Sequence, residues 1–298
     1  MNNTDQQVLP DSIHHTSDFT LSRWMSDTPS IDTLSFDNLI LPGAHNAGVD
    51  KKASYAGPGV SHWACCQNDS FYYQLTQGAR ALDVRLEYAV SANGVPTFWF
   101  QHNNFRSSRS LENLVMGVIR FLQEHPDEFI LLDFHEVKSA QRIFDFKELN
   151  RFLLTHLGDR MIPRKHASLT LGQLKQASYA RRVLVAVEYH PDLDSSRFCP
   201  QIEHEWSGIA TTSVSELNTH ITRVMKYPPS GLPWSLSATS YSAFGGPMNI
   251  KDQLDDWFDP ATRDWVLKSS IINADFFETS QLVQHCRTAN VIKSIASV

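Results

Sequence analysis

The sequence predicts an α/β protein with an irregular (β/α)8 barrel in a single domain. Short apolar runs alternate with longer amphipathic segments along most of the 298 residues, and this alternation is typical of a parallel sheet covered by helices. Some runs are apolar throughout, such as Val183–Val187, as expected for strands that are buried on both faces. A barrel of this type needs about 250 residues, so one domain accounts for the chain.

Eight apolar runs are predicted to be strands. They cover residues 38–41, 81–87, 97–101, 129–134, 182–187, 208–212, 234–238 and 270–274. Helical spacing predicts helices at 110–125, 214–224, 250–258 and 280–288, and a further helix that opens at Pro260 and reaches about Lys268. Residues 1–35 are predicted to be a polar N-terminal segment with a short helix near 21–25, and residues 36–298 to be the barrel.

Composition excludes some classes of protein. A formal net charge of -6 argues against a nucleic-acid partner, which usually requires a basic surface. We find no run of 18 apolar residues that would span a membrane, and no signal peptide at the N-terminus. The four cysteines are too few for a disulfide scaffold. We expect small buried thiols, with a disulfide as the alternative if the protein is extracellular.

Polar side chains recur where the predicted strands end, and barrel active sites form at that end of the strands. These side chains are His45, Asn46, Asp83, Arg85, His102, Asp133, His135, Glu136, Glu188, Ser240, Tyr241 and Asp275. Together they would line one mouth of the barrel with polar and charged groups.

Two histidines in this set suit proton transfer near neutral pH. His45 lies on a loop marked by Pro42, Gly43 and Gly48, and His102 follows an aromatic strand. One imidazole could take a proton from an attacking hydroxyl while the other protonates the leaving oxygen. Each histidine taken alone is equally typical of a turn or of the surface.

Asp83, Arg85 and Glu87 alternate with three apolar residues, which places the charges on one face of a strand. A charged interior face is costly unless the charges pair or face a site. Arg85 would stabilise negative charge on a phosphoryl group. A purely structural ion pair is the alternative.

Several motifs resemble the X-type catalytic barrel of bacterial phosphatidylinositol-specific phospholipase C. They are Leu-Pro-Gly-Ala-His-Asn-Ala-Gly ending at Gly48, Gly-Ala-Arg-Ala-Leu-Asp-Val-Arg-Leu ending at Leu86, Gln-His ending at His102, Glu-Phe-Ile-Leu-Leu-Asp-Phe ending at Phe134, and Ile-Asn-Ala-Asp-Phe ending at Phe276. The resemblance runs in order from about Trp24 to the C-terminus. The first three motifs are fairly specific as an ordered set.

The resemblance implies a role for each matching residue. His45 matches the general base that deprotonates the inositol 2-hydroxyl, and His102 matches the general acid for the diacylglycerol oxygen. Asp275 matches the carboxylate that orients the base. Asp83 matches the acidic residue near the acid histidine and the phosphate, and Arg85 matches the arginine that contacts the phosphate.

Arg85 stands where the calcium-dependent relatives of this family have an acidic ligand. We therefore expect no cofactor and no metal, since a guanidinium would repel the ion. Asn46 is the residue that favours calcium, because the calcium-dependent forms have asparagine there and bacterial forms usually have aspartate. Asp83, Asp133 and Glu136 could supply further oxygen ligands for that alternative.

The headgroup pocket is expected to include His135 and Glu188, at positions where the family has a basic residue and an arginine. Trp206 resembles the aromatic platform under the inositol ring, and Tyr241 and Asn46 are expected as further substrate contacts. The partner is then phosphatidylinositol in a membrane, and the protein is expected to be a monomer. Rim aromatics that would insert at the headgroup level are Tyr55, Trp63, Phe71, Tyr72, Tyr241 and Phe244.

Two other functions stay open from the sequence. One is a metal-dependent glycerophosphodiester phosphodiesterase, also a barrel with two histidines. The other is a lipid-binding barrel without catalysis. The resemblance favours a secreted protein, although the chain shows no signal peptide, and the sequence does not fix its location.

Overall fold

The computed structural model describes residues 19–57, 59–90, 94–139, 143–208, 211–231, 233–242 and 246–296. The helices are α1 Val60–Ala64, α2 Phe71–Thr76, α3 Leu111–Glu124, α4 Phe146–His156, α5 Leu171–Ala177, α6 Val214–Lys226, α7 Lys251–Trp257, α8 Trp265–Lys268 and α9 Leu282–Ala296. The strands are β1 Leu41–Ala44, β2 Ala81–Val90, β3 Pro96–His102, β4 Phe105–Ser110, β5 Ile130–Ser139, β6 Val183–Val187, β7 Cys199–Pro200, β8 Glu203–Glu205, β9 Trp234–Ser237, β10 Tyr241–Ser242, β11 Gly246–Pro247 and β12 Ile271–Ala274.

Eight strands form one parallel sheet in the order β7-β6-β5-β2-β1-β12-β9-β8. β7 and β8 lie at opposite edges of this sheet, yet only Gln201 and Ile202 separate them along the chain. Because a linker of this length spans at most about 11 Å, the two edges lie side by side. The sheet is therefore curled into a barrel with a seam between β7 and β8, and the predicted irregular α/β barrel is confirmed.

Other strands depart from a regular barrel. β2 pairs antiparallel with β3, and β3 pairs antiparallel with β4. The predicted strand at 97–101 therefore exists as β3. It belongs to the antiparallel pair β3 and β4, which extends from β2, and not to the parallel barrel. The predicted strand at 208–212 is wrong for its described residues, which form no strand, and residues 209–210 lie outside the described ranges. The barrel strands β7 and β8 were missed because they are only two and three residues long.

β1 begins three residues later than predicted and includes Pro42 and Gly43. A Cβ atom on Gly43 would lie 2.1 Å from Oδ1 of Asn273, so only glycine permits this approach of β1 to β12. The two strands pair with Ala44 opposite Ala274. Their next residues, His45 and Asp275, consequently emerge side by side at the carboxyl end of the sheet.

Amphipathic helices cover the outside of the barrel. α3 and α6 match two predicted helices closely, and each starts with a capping box, at Ser110 with Asn113 and at Ser213 with Glu216. The helices α1, α2, α4 and α5 were not predicted. Within the described ranges, no helix has the length and apolar character needed to cross a lipid bilayer.

The N-terminal segment packs onto the base of the barrel from residue 19 onward. Trp24 is fully buried, and its indole nitrogen donates to the Gly78 carbonyl at 2.9 Å. The short helix predicted near 21–25 is a three-residue 3-10 turn, Leu21–Arg23. Next to this turn, Arg80 and Glu128 form a completely buried ion pair, with Nη2 of Arg80 2.6 Å from Oε2 of Glu128. Glu128 also accepts hydrogen bonds from Ser26.

Removing one partner of this ion pair is expected to destabilise the fold strongly. Arg80→Met would leave the Glu128 carboxylate buried without its counter-ion, which costs about 3–5 kcal/mol in the free energy of unfolding. Urea unfolding followed by circular dichroism measures the loss. Arg151→Met is the control, because Arg151 pairs with Glu148 on the surface and should change stability little. Equal effects of the two substitutions would contradict the prediction.

Candidate active site

A cavity of about 340 Å³ opens at the carboxyl ends of the parallel strands. Its wall contains four histidines, one arginine and two aromatic side chains. The lining residues are His45, Arg85, His102, Asn103, His135, His204, Trp206, Ser237, Thr239 and Tyr241. Six of these, namely His45, Arg85, His102, His135, Trp206 and Tyr241, were predicted from the sequence as site residues.

His45 is held at both ring nitrogens. Nδ1 lies 2.8 Å from Oδ1 of Asp275, and Nη2 of Arg85 donates to Nε2 at 3.1 Å. These partners favour the neutral tautomer with the proton on Nδ1, because Nε2 must accept. The Gln67 side-chain amide donates to the carbonyls of His45 and Ala274, at 2.7 and 3.0 Å, so it fixes the two loops relative to each other.

Arg85 is anchored by the buried carboxylate of Asp83. Nη2 and Nε of Arg85 lie 2.8 and 3.1 Å from Oδ2 of Asp83. Burial alone would raise the pKa of Asp83, but the Arg85 guanidinium, with smaller contributions from His135 and His45, holds it well below its usual value. Asp83 therefore stays ionised, and the guanidinium stays fixed beside His45.

His102 faces His45 across the cavity. The ring centroids are 6.2 Å apart, and the ring planes are perpendicular. Nδ1 of His102 donates to the Ala64 carbonyl at 3.0 Å, which leaves Nε2 for a ligand. Burial, with the electrostatic effects of His45 and Arg85, lowers the pKa of His102 to about 4, and the hydrogen bond to the Ala64 carbonyl offsets part of this shift.

Asp83 lies close enough to His102 to interact with it electrostatically, but its described hydrogen bonds go elsewhere. The described contacts of its carboxylate are with Arg85, with the backbone N–H of Asn46, and with Nε2 of His45 at 3.8 Å. A backbone carbonyl, that of Ala64, orients His102 instead. The reason is topological, since Asp83 lies on a barrel strand and His102 ends an antiparallel strand.

A third ring completes this side of the cavity. The Tyr241 hydroxyl lies 3.4 Å from Nδ1 of His45, and the Tyr241 ring is 5.8 Å from that of His102. Burial raises the pKa of Tyr241, so the phenol remains a neutral hydrogen-bonding group. Below it lies the thiol of Cys66, 3.7 Å from Nδ1 of His102.

The opposite wall holds a histidine pair that sequence reasoning found only in part. His135 stacks on His204 with ring centroids 3.7 Å apart, and Nε2 of His204 lies 2.5 Å from Oδ2 of Asp133. Burial lowers the pKa of His135 to about 3, so this imidazole is neutral at physiological pH. His204 was missed because it lies in β8, which is too short to show a strand pattern.

Two predicted substrate contacts lie outside the cavity. Glu188 follows β6 directly, but its side chain is exposed and lines a separate cleft with Arg164 and His190. Asn46 is fully buried at a positive φ of 45°, and its backbone N–H donates to Asp83. The backbone of Asn46 thus holds the turn after β1 in place. Neither Asn46 nor Glu188 is part of the cavity wall.

The predicted rim aromatics divide into several groups. Trp63 is 44% exposed, and Trp206, in the cavity wall, is 52% exposed. Phe71 is instead a core residue against Phe100, and Tyr72 packs against Arg120 on α3. Tyr55 is half-buried and donates to the Asp50 carbonyl. Phe244 lies outside the described residues.

The oxygen donors of the calcium alternative are already engaged. Asp83 binds Arg85, Asp133 binds His204, and Glu136 pairs with Lys138. A calcium site needs about 6–8 oxygen ligands, and a guanidinium stands in the middle of this set. All four cysteines are buried and free, in agreement with the sequence expectation.

No protein-family model matches the chain. The chain is similar to "PI-PLC X domain-containing protein 1" of Danio rerio, 21% identical over 206 residues that cover 62% of this chain and 65% of the relative. It is also 24% identical over 217 residues to the protein of the same name from Mus musculus, covering 64% and 60% of the two chains. The matched segments thus span less than two thirds of these relatives.

Solved structures share the fold over nearly the whole chain. The phosphatidylinositol-specific phospholipase C from Listeria monocytogenes superposes with a TM-score of 0.67 at 20% identity, over 91% of this chain and 99% of that one. A phosphatidylinositol-specific phospholipase C from S. aureus gives a TM-score of 0.66 at 14% identity, over 91% and 97%. The class of protein is a curled α/β barrel with a polar mouth. Its fold is the one that these solved phosphatidylinositol-specific phospholipases C share.

His102 is expected to titrate well below a free histidine. Ring-carbon NMR of the free protein should give a pKa near 4, against an ordinary value of about 6.5. In His45→Ala the His102 pKa is expected to rise, because the electrostatic interaction with the His45 ring, which lowers this pKa, is removed. A wild-type value at or above 6.5, or no rise in the variant, would contradict this electrostatic description.

Proposed function

We propose that the chain is a phosphatidylinositol-specific phospholipase C that uses His45 as general base and His102 as general acid without a metal ion. The observation that carries this proposal is the pair of perpendicular imidazoles, whose ring centroids are 6.2 Å apart, with a guanidinium in contact with Nε2 of the base and a carboxylate in contact with its Nδ1. A phosphoryl group fits between two imidazoles at this separation.

The first step is attack of the inositol 2-hydroxyl on phosphorus. Nε2 of His45 takes the hydroxyl proton, the bond from O2 to phosphorus forms, and Asp275 stabilises the imidazolium through Nδ1. In the free protein Arg85 donates to the Nε2 lone pair. A bound phosphate draws the guanidinium toward its own oxygens, which frees Nε2 to act as the base.

The second half of the step breaks the bond from phosphorus to the glycerol oxygen. His102 delivers its proton to that oxygen, so the products are a 1,2-cyclic inositol phosphate and diacylglycerol. The free acid must be protonated, and its lowered pKa means that kcat/KM falls as the pH rises above this pKa. The negative charge of bound substrate favours the imidazolium and offsets part of this loss.

Arg85 takes the role of a divalent cation in this scheme. Its charge is permanent, and Asp83 aims it at the phosphoryl position before substrate arrives. The guanidinium neutralises charge on the non-bridging oxygens as they become more negative. This arrangement favours the proposal over a metal-dependent glycerophosphodiester phosphodiesterase, which needs paired carboxylates at this position.

The inositol ring is placed against His135, His204 and Trp206. The neutral imidazole of His135 and the hydroxyls of Ser237 and Thr239 donate and accept hydrogen bonds with ring hydroxyls, and the exposed Trp206 ring covers an apolar face. Because Arg85 is the only Lys or Arg among the described lining residues of the cavity and is assigned to the phosphodiester, an unphosphorylated headgroup suits the pocket best. Trp63 and Trp206 would contact the membrane interface as the lipid enters.

Phosphorus NMR tests reaction and metal requirement together. Phosphatidylinositol incubated with the protein should give a cyclic phosphate signal that a chelator leaves unchanged. His45→Ala and His102→Ala should each slow its appearance by about 10²–10⁴-fold, since general acid–base catalysis contributes that much. His156→Ala is the control, because this histidine is exposed on α4. Activity lost with chelator would favour the metal-dependent phosphodiesterase, and full activity of His45→Ala would refute the mechanism.

The headgroup assignment has its own test. His135→Ala is expected to raise KM for a soluble short-chain phosphatidylinositol about tenfold with kcat little changed, because one hydrogen bond in the bound state is worth about 1–1.5 kcal/mol. Glu188→Ala should leave both constants unaltered, since Glu188 lines a different cleft. A KM effect from Glu188→Ala and none from His135→Ala would reverse the assignment.

A further inference from the structure

Cys66 takes no part in the proposed reaction, yet it lies directly behind two residues of the cavity wall, His102 and Tyr241. It is fully buried, and its Sγ is 3.7 Å from Nδ1 of His102 and 4.0 Å from the Tyr241 hydroxyl. His45 and Asp275 stand beside it. One ligand atom from each of His45, Cys66 and Asp275 lies within 4.8 Å of the other two. Nitrogen, sulfur and oxygen donors thus converge at the catalytic base.

A second observation points to a cation at this place. Oδ2 of Asp275 is buried and makes no hydrogen bond of good geometry among the described residues, and the Cys66 thiol is the polar group beside this carboxylate. Oδ1 of Asp275 receives His45. Leaving a buried carboxylate oxygen without a partner is costly. A cation bound beside the thiol would satisfy this oxygen.

We propose that His45, Cys66 and Asp275 form an inhibitory site for a thiophilic divalent cation, with Zn²⁺ as the ion that fits best. Hard ions such as Mg²⁺ and Ca²⁺ prefer all-oxygen ligand sets, whereas zinc binds mixed nitrogen, sulfur and oxygen donors. Three protein ligands leave the fourth tetrahedral position for water. Ligand atoms of tetrahedral zinc lie about 3.5 Å apart, so the donors need to shift by about an ångström.

The ion would inhibit because it occupies the base. The Nδ1 edge of His45 faces Asp275, so the metal binds the Nδ1 lone pair and the ring proton moves to Nε2. The thiol proton leaves to solvent as the sulfur–metal bond forms. Protonated Nε2 can no longer accept the substrate proton, and its contact with Arg85 becomes one between two donors. Zinc and the catalytic cycle are therefore mutually exclusive.

Cobalt spectroscopy tests the site independently of enzyme activity. Titration of the reduced wild-type protein with Co²⁺ should saturate at one equivalent and give a near-ultraviolet thiolate-to-cobalt charge-transfer band, which Zn²⁺ removes. Cys66→Ser should lack the band. Cys65→Ser, the matched control, should retain it, because the Cys65 thiol contacts the Tyr55 hydroxyl instead. Absence of the band in the wild-type protein, or its loss only in Cys65→Ser, would overturn the proposal.

A measurement on the wild-type protein covers the case in which Cys66→Ser does not fold. Native mass spectrometry should find one zinc ion per chain, and zinc binding should release about one proton. No bound zinc under these conditions overturns the site.

The inhibitory effect rests on the proposed function and is measured separately. Zn²⁺ should stop cleavage of phosphatidylinositol, and a chelator should restore it. Relative to its own zinc-free rate, Cys66→Ser should need at least about 100-fold more zinc, because even outer-shell partners of a metal are worth roughly 10–100-fold in affinity. A wild-type protein that binds cobalt but cleaves nothing refutes the function and leaves the site standing. An active protein without the cobalt band refutes the site alone.

Discussion

The ion pair between Arg85 and Asp83 is the interaction on which the cavity depends. Asp83 is completely buried, and it binds both the Arg85 guanidinium and the backbone N–H of Asn46. It therefore joins β2 to the turn that carries His45. The guanidinium in turn contacts Nε2 of His45, so base and positive charge are set relative to each other before any ligand binds. Such preorganisation matters because the free energy needed to hold the Arg85 charge near the base is provided when the protein folds. It is therefore not required again during the reaction.

Two kinds of structure meet at this cavity. His45 and Asp275 follow adjacent parallel strands, which the close contact of Gly43 with Asn273 draws together. His102 instead ends the antiparallel strand β3, and its ring is oriented by the Ala64 carbonyl at the end of α1. The general base of the proposed mechanism thus follows a strand of the parallel barrel, whereas the general acid lies on the antiparallel strand β3 outside it. The base has a buried carboxylate behind it, whereas the acid has only a neutral carbonyl. Burial is the main cause of the low pKa of His102, and the hydrogen bond to the Ala64 carbonyl offsets only part of it.

The sequence predicted the barrel and the residues around His45 well because their signals are local. Apolar runs marked β5, β6 and β12 within about one residue at their start, and the spacing of Asp83 and Arg85 on one strand face forced both toward the cavity. Its failures have physical causes. β8 is three residues long, so His204 carried no periodic signal. Glu188 directly follows a correctly predicted strand, but the chain turns outward there, and no pattern in the sequence reports that direction. Only the tertiary fold brings Cys66 into contact with His102 and Tyr241, so no local pattern predicts its position.

The most direct test that His45 and His102 have separate roles compares two substrates, one whose leaving oxygen needs a proton and one whose leaving oxygen does not. His102→Ala and His45→Ala would be assayed on phosphatidylinositol and on an inositol phosphodiester of nitrophenol, whose leaving oxygen departs without a proton. The mechanism predicts that His102→Ala loses most of its rate on the lipid but little on the nitrophenyl ester, whereas His45→Ala is slow on both. Equal losses by His102→Ala on the two substrates would contradict its role as general acid and, with it, the arrangement of the phosphorus between the two rings.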